Sequence, residues 1–347
     1  MTDVRAAVVT RRTYNRPLND EGTMFETWEQ TVGRVINHQQ WLWERAKTEK
    51  LNQGELGELE ELRILMLERR ATTSGRTLWL GGTDVAKKHE ASQFNCSFGR
   101  IETVHDVVDA FWLLLQGCGV GFEPVVGTLN GFAKETEIEM WRSDREGKGR
   151  EDNISQLRTI GDDGYRVYKL TIGDSAKAWA KSLGKLMALK DPVDKIILDF
   201  SEIRPAGTRL KGYGWISSGD DTLHIALGKI CDMMNKRAGQ LLTRMDILDL
   251  LNHMGTTLSS RRSAEIAVMP VDDPEADEFI TAKKDFWLHD NAHRQQSNNS
   301  LMFYKKPTKW ELSYIFDRMV EAGGSEPAFI NAEAALKRAP HFKGVNP

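Results

Sequence analysis

Hydrophobic positions recur every three or four residues in the first part of the chain and give way to short apolar runs bounded by glycine further on. Phe25, Trp28, Val32, Val35 and Ile36 keep the helical period, with Thr23 and Glu26 at capping-box spacing ahead of them. A second amphipathic helix is expected over residues 55–70, with Leu56, Leu59, Leu62 and Met66 on one side and charged residues on the other. The first 70 residues therefore read as a small helical layer, whose tryptophans we expect to anchor it to the rest of the chain. Residues 104–116 carry apolar side chains over so wide an arc that this helix must be buried on most sides.

Beyond a polar, weakly periodic stretch at 130–170, expected to be an insertion or mobile segment, a regular alternation resumes. Helices are expected at 175–189, 222–236, 243–258, 274–284 and 308–322, and strands at 195–200 (KIILDF), within RRSAEIAVMP, at 300–303 and at 328–331. Strands separated by helices at this rhythm pair in parallel through crossovers, so the fold class is α/β, a sheet or a barrel. We divide the chain into a mainly helical region, 1–90, and an α/β region, 91–347.

At 347 residues, with 40% hydrophobic and 28% charged residues, the chain has the composition of a globular protein of about two domains. A net charge of −3 offers no bulk attraction to DNA. Three cysteines suit a reducing compartment. No 18-residue apolar run and no signal-like N-terminus occur, so we expect a soluble, cytoplasmic protein with no membrane partner.

Candidate chemistry is sparse. Cys96, in QFNCSF, can act as reductant, nucleophile or ligand, or simply pack in a core. The run ATTSGRTLWLGGTD can hold an anion on its backbone amides or serve as a plain connection. Gly117, Gly119 and Gly121 follow a helix instead of preceding one, which excludes a dinucleotide turn. Gly214 to Gly219 has P-loop spacing but continues with Asp220 where that motif needs lysine, although Arg204, Arg209 and Lys211 add charge nearby. His289 and His293 lie four apart without a third ligand, and Asp199 with Glu202 reads as an acid/base pair or as a strand-end cap. No metal site is expected.

Eight segments, taken in order, resemble the adenosylcobalamin-dependent (class II) ribonucleotide reductases, in particular the monomeric ribonucleoside-triphosphate reductases: RRTYNRPL, SGRTLWLGGTD, FNCSF, GVGF, ILDFSEIRPAGTRLKGYGWISSG, RRSAEIA, QSNNS and GVNP. The resemblance implies the first half of a ten-stranded α/β barrel behind a small helical N-terminal region. By it, Cys96 takes the place of one of two cysteines that reduce the substrate, and Thr73, Ser74 and Ser97 lie where its phosphates are held. Gly212, Gly214, Ser217 and Ser218 match the first specificity loop, and Arg261 and Arg262 the second, through which a deoxynucleotide effector tunes base choice. Asn346 matches the asparagine of NPCGE, which holds the ribose hydroxyls. The chain stops at Pro347, before the cysteine and glutamate of that signature, so the resemblance implies an N-terminal portion completed in trans or by intein splicing. A C-terminal reductase part, with most of the adenosylcobalamin contacts, and a thioredoxin-like reductant are the implied partners. Cys118 and Cys231 match no functional position and are expected to be packing thiols. The alternative is a non-catalytic nucleotide-binding protein of the same fold.

Overall fold

The computed structural model describes residues 3–19, 21–210, 212–213, 215–258, 264–287 and 291–345. Their contacts separate into two units, 1–95 with 209–216, and 96–208 with 217–347. In the first unit lie helices α1 (Val4–Thr13), α2 (Trp28–Lys47), α3 (Gln53–Leu67), α4 (Gly75–Leu80) and α5 (Asp84–Lys88). Helix α2 starts later than the sequence suggests. Its capping box is Thr27 with Gln30, not Thr23 with Glu26. Glu26 is instead buried and ion-paired, its carboxylate gripped by the Arg34 guanidinium at 2.7 and 2.8 Å. Asn52 and Glu55 form the equivalent box on α3. Val32, Val35, Leu59, Met66 and Leu78 form the small core of this layer, and the Trp28 indole donates to the Met66 carbonyl within it.

The second unit runs β1 (Cys96–Ile101), α6 (Val104–Leu115), β2 (Gly119–Pro124), β3 (Glu137–Trp141), β4 (Ile154–Ile160), β5 (Tyr165–Thr171), α7 (Ala176–Met187) and β6 (Lys195–Asp199). The chain then supplies a hairpin to the first unit, β7 (Arg209–Leu210) with β8 (Trp215–Ile216). It continues as α8 (Asp221–Lys236), α9 (Arg244–Gly255), β9 (Ala264–Pro270), α10 (Ala276–Ile280), β10 (Ser297–Phe303), α11 (Lys309–Ala322), β11 (Ala328–Asn331) and α12 (Ala332–Arg338).

Five strands form a wholly parallel sheet in the order β1-β2-β9-β10-β11. Helices α6, α10 and α11 supply the crossovers that parallel pairing requires. One face packs on the main core through Ile101, Val120, Phe122, Ala267, Met269, Leu301 and Phe303. The other face carries a smaller cluster, Val268, Met302 and Ala332 with Phe98, Ile266, Ile330 and Phe342.

Residues 137–171, expected to be irregular, instead supply three strands of a second sheet, order β3-β6-β5-β4. Strand β4 pairs antiparallel at its edge and keeps nearly all its side chains exposed. A strand with no buried face has no reason to alternate, so its sequence hides it.

Candidate functional site

Successive side chains on a strand point to opposite faces, so Cys96 and Phe98 share the face of β1 that bears the smaller cluster. Cys96 is exposed, a position open to reaction. Its register partner on β2 is Gly119, and that of Phe98 is Gly121. Two glycines beside the thiol leave a floor without side chains, where another backbone or a ligand can approach closely. The glycines of GVGF therefore make room within a sheet. Asn298, in register with Ile266 next along, is exposed on this same face. Sequence alone marks QSNNS as a family string without ranking its two asparagines. Strand parity separates the exposed Asn298 from the buried Asn299.

The C-terminal segment crosses this face. Phe342 joins the cluster with Phe98, and a β-carbon placed on Gly344 would come within 1.9 Å of two Phe98 ring atoms. Asn346 lies outside the described residues, as do Gly214, Arg261, Arg262, Lys211 and His289. Ser97 faces the opposite way from Cys96, its hydroxyl buried on the helix-covered side. Only its backbone is left to serve the thiol's face.

Thr73 and Ser74 belong to the first unit. The Ser74 hydroxyl accepts the Thr77 amide as the cap of α4, while the Thr73 hydroxyl is buried without a hydrogen-bond partner.

Of the residues expected in the two specificity loops, Ser217 is buried and its hydroxyl accepts the Gly219 amide. Ser218 Oγ donates to the Thr257 carbonyl at 3.1 Å, and Thr222 Oγ1 donates to the same oxygen at 2.9 Å. Thr257 lies just beyond α9 and just ahead of residues 259–263, so the roots of both loops are tied at one carbonyl. Gly212 lies in the first unit, where its own carbonyl accepts from Arg16 Nη2 at 2.7 Å.

Just past the second loop, Glu265 is buried against α9 with one oxygen accepting from Asn252 Nδ2 at 2.9 Å and the other without a partner. Burial pushes its carboxyl up to about 8, against the smaller opposing effect of the Asn252 hydrogen bond, so it is protonated at neutral pH. Ser297 Oγ lies 3.3 Å from Asn252 Oδ1 and 2.9 Å from Asn299 Oδ1, extending the polar network beneath β10.

The remaining charged candidates are structural. Asp199 pairs with Lys169 at 2.8 Å and accepts the Ser201 amide, while Glu202 accepts the Arg150 amide. They do not face each other as an acid and base. Arg204 is held by Asp174 at 2.8 Å. His293 stacks on His253 and lies 2.8 Å from Asp249, which Arg294 grips with two nitrogens. Among the described residues no group of histidines, cysteines and carboxylates could hold a metal. Cys118 and Cys231 are both buried, and burial pushes the Cys231 thiol up to about 12.

Two cavities of about 280 and 190 Å³ lie elsewhere in this unit, one by Asp272, Asp277, Lys305 and Tyr314, the other by Lys283, Asn299 and Glu326. Neither borders Cys96. Pockets of roughly 300–1,000 Å³ take drug-sized ligands, and a corrin is larger, so these cavities do not fit a cobalamin.

Comparison with known proteins agrees with the fold. Residues 2–83 match the ribonucleotide reductase alpha domain. The adenosylcobalamin-dependent ribonucleoside-triphosphate reductase of Lactobacillus gasseri is 30% identical over 94% of this chain and 48% of its own length. Those of Lactobacillus delbrueckii subsp. bulgaricus and Lactobacillus leichmannii are 30% and 29% identical, each over 85% of this chain and 44% of their own length. A crystal structure of a B12-dependent (class II) ribonucleotide reductase superposes with a TM-score of 0.69 at 25% identity, covering 86% of this chain and 45% of that one. The chain spans about half the length of the curated relatives it matches. By sequence and by fold, the chain is similar to one half of the class II, adenosylcobalamin-dependent ribonucleotide reductases.

Proposed function

We propose that this chain is the N-terminal portion of a ribonucleoside-triphosphate reductase, and that Cys96 is one of the two thiols that reduce the ribose. The observation that carries this reading is the exposed Cys96 on a glycine floor, with the segment leading to Asn346 packed on Phe98 two residues away. Replacing the 2′ hydroxyl by hydrogen releases water and takes two electrons; two thiols supply them and become a disulfide. The second thiol must come from the remainder of the enzyme, because Cys118 and Cys231 are buried.

Bound adenosylcobalamin would supply the radical that starts the reaction. Its contacts belong mainly to the C-terminal half. Five parallel strands are what half of a ten-stranded barrel needs, and β11 leaves an open edge. Trp310 and Val320 on the neighbouring α11 are 86% and 79% exposed, which suits cover by a further part of the enzyme, joined in trans or by splicing. The loops rooted at Thr257 would bind the deoxynucleotide effector, and a thioredoxin-like protein would recycle the disulfide.

The test combines the purified chain with the C-terminal half of a class II reductase, adenosylcobalamin and a dithiol, and measures deoxynucleotide formation. Turnover is expected, and Cys96→Ser should abolish it while nucleotide binding persists. Nucleotide binding with no turnover in the unmodified chain would instead identify a non-catalytic binding protein.

A further inference from the structure

We propose that Arg16, assisted by Trp79, is a positioning residue for nucleotide discrimination, fixing the shape of the hairpin that leads into the Ser217–Ser218 loop. This rests on the reading of 212–219 as an effector loop. A hairpin of two-residue strands has no stability of its own; its shape must be imposed by what it packs on. Nearly two hundred residues separate it from Arg16 in sequence, yet both belong to the first unit.

The attachments converge on two consecutive carbonyls at the turn. Arg16 Nη1 donates to Tyr213 O at 3.0 Å and Nη2 to Gly212 O at 2.7 Å, while Trp79 Nε1 donates to Tyr213 O at 2.9 Å. The guanidinium lies 4.7 Å from the centre of the Trp79 ring, so the two donors also brace each other. Val85 Cγ2 closes against Gly212, where a β-carbon would meet it at 2.8 Å, and the Arg209 guanidinium lies over Gly22. Arg16 is itself buried. Its planar fork reaches two acceptors at once, which the single ammonium of lysine cannot do in the same geometry. A buried arginine spent on the backbone of a distant turn sets where that backbone lies.

The experiment uses the full chain, unmodified and as Arg16→Lys and Trp79→Phe. Hydrogen exchange over 209–216 is followed by mass spectrometry, and binding of each of the four deoxynucleoside triphosphates is measured by calorimetry. Circular dichroism verifies that each variant folds. We expect exchange of the hairpin amides to accelerate by about fivefold or more for each lost donor, and the spread of affinities among the four nucleotides to narrow by a similar factor. Unchanged hairpin exchange in both variants overturns the proposal, as does faster exchange with an unaltered spread. An unmodified chain that binds none of the four nucleotides overturns the effector-loop reading itself, and is told apart because hairpin exchange is read independently.

Discussion

Gly344 lies against the ring of Phe98 so closely that a β-carbon on it would come within 1.9 Å of two ring atoms. A strand rises about 3.3 Å per residue, so Phe98 and Cys96 are only about 6.6 Å apart along β1. The end of the described chain is thereby drawn to the strand that carries the exposed thiol. Substituting Gly344→Ala should lift the segment from β1, an overpacking cost of about 1–3 kcal/mol. Hydrogen exchange over 340–345 should accelerate, and Phe98→Leu in the same chain should partly restore protection. No change in exchange would mean that the contact does not hold the segment.

Glu265 makes stability fall as pH rises. Its carboxyl is protonated in the folded protein up to about 8, whereas in the unfolded chain it ionises near its usual 4.5. Between those values folding takes up a proton, so stability declines by at most about 1.4 kcal/mol per pH unit and levels off above about 8. Urea titrations at pH 5 and pH 8 should show this slope, and Glu265→Gln should flatten it while raising stability at pH 8. Equal slopes in the two proteins would show that the buried acid does not set the pH dependence.

The opposite sign applies to Asp249. Burial alone would raise its carboxyl, but hydrogen bonds from Arg294 and His293 outweigh it and hold the group at about 2. Its contribution is present above the unfolded value near 3.8 and is lost as pH falls toward 2. Asp249→Asn leaves the Arg294 charge buried without its partner, and should cost about 3 kcal/mol at neutral pH. That loss should shrink in acid. A variant as stable as the parent at pH 7 would contradict the pairing.

Ser218 and Thr222 both donate to the Thr257 carbonyl. Each of Ser218→Ala and Thr222→Val should cost about 0.5–1.5 kcal/mol, and the double variant more than the sum if one donor can compensate for the loss of the other. Chemical denaturation of the four proteins gives the coupling directly. Additive losses would show that the two hydroxyls act independently.

Much of the second unit is legible in sequence because its helices bury one face and carry their own caps. Ser175, Thr243 and Thr308 each stand at the N-cap of the expected helix, and the strands at 195–199 and 328–331 are short apolar runs between helices. Strands β1 and β2 are hidden in the sequence because glycines at 99, 119 and 121 break the apolar pattern, and those last two glycines are what open the floor beside Cys96. Cys96 itself can be found through its neighbours in FNCSF, but its exposure cannot. Nothing local to LKGYGWI reveals that its backbone is held by Arg16, since such contacts depend on tertiary placement alone. Thr23 and Glu26 have the right spacing for a cap, but burial gives Glu26 to Arg34 instead.

The proposed role in ribose reduction requires that Cys96 and Asn346 meet at one site. Their meeting is tested most directly by replacing Asn346→Cys and treating the native chain with a bismaleimide spanning about 8–10 Å, a reach of some three extended residues. Mass spectrometry should find position 346 cross-linked to Cys96, with Cys118 and Cys231 unmodified. Efficient labelling of both positions with no link between them would contradict the shared site, and with it the assignment of Cys96 to ribose reduction.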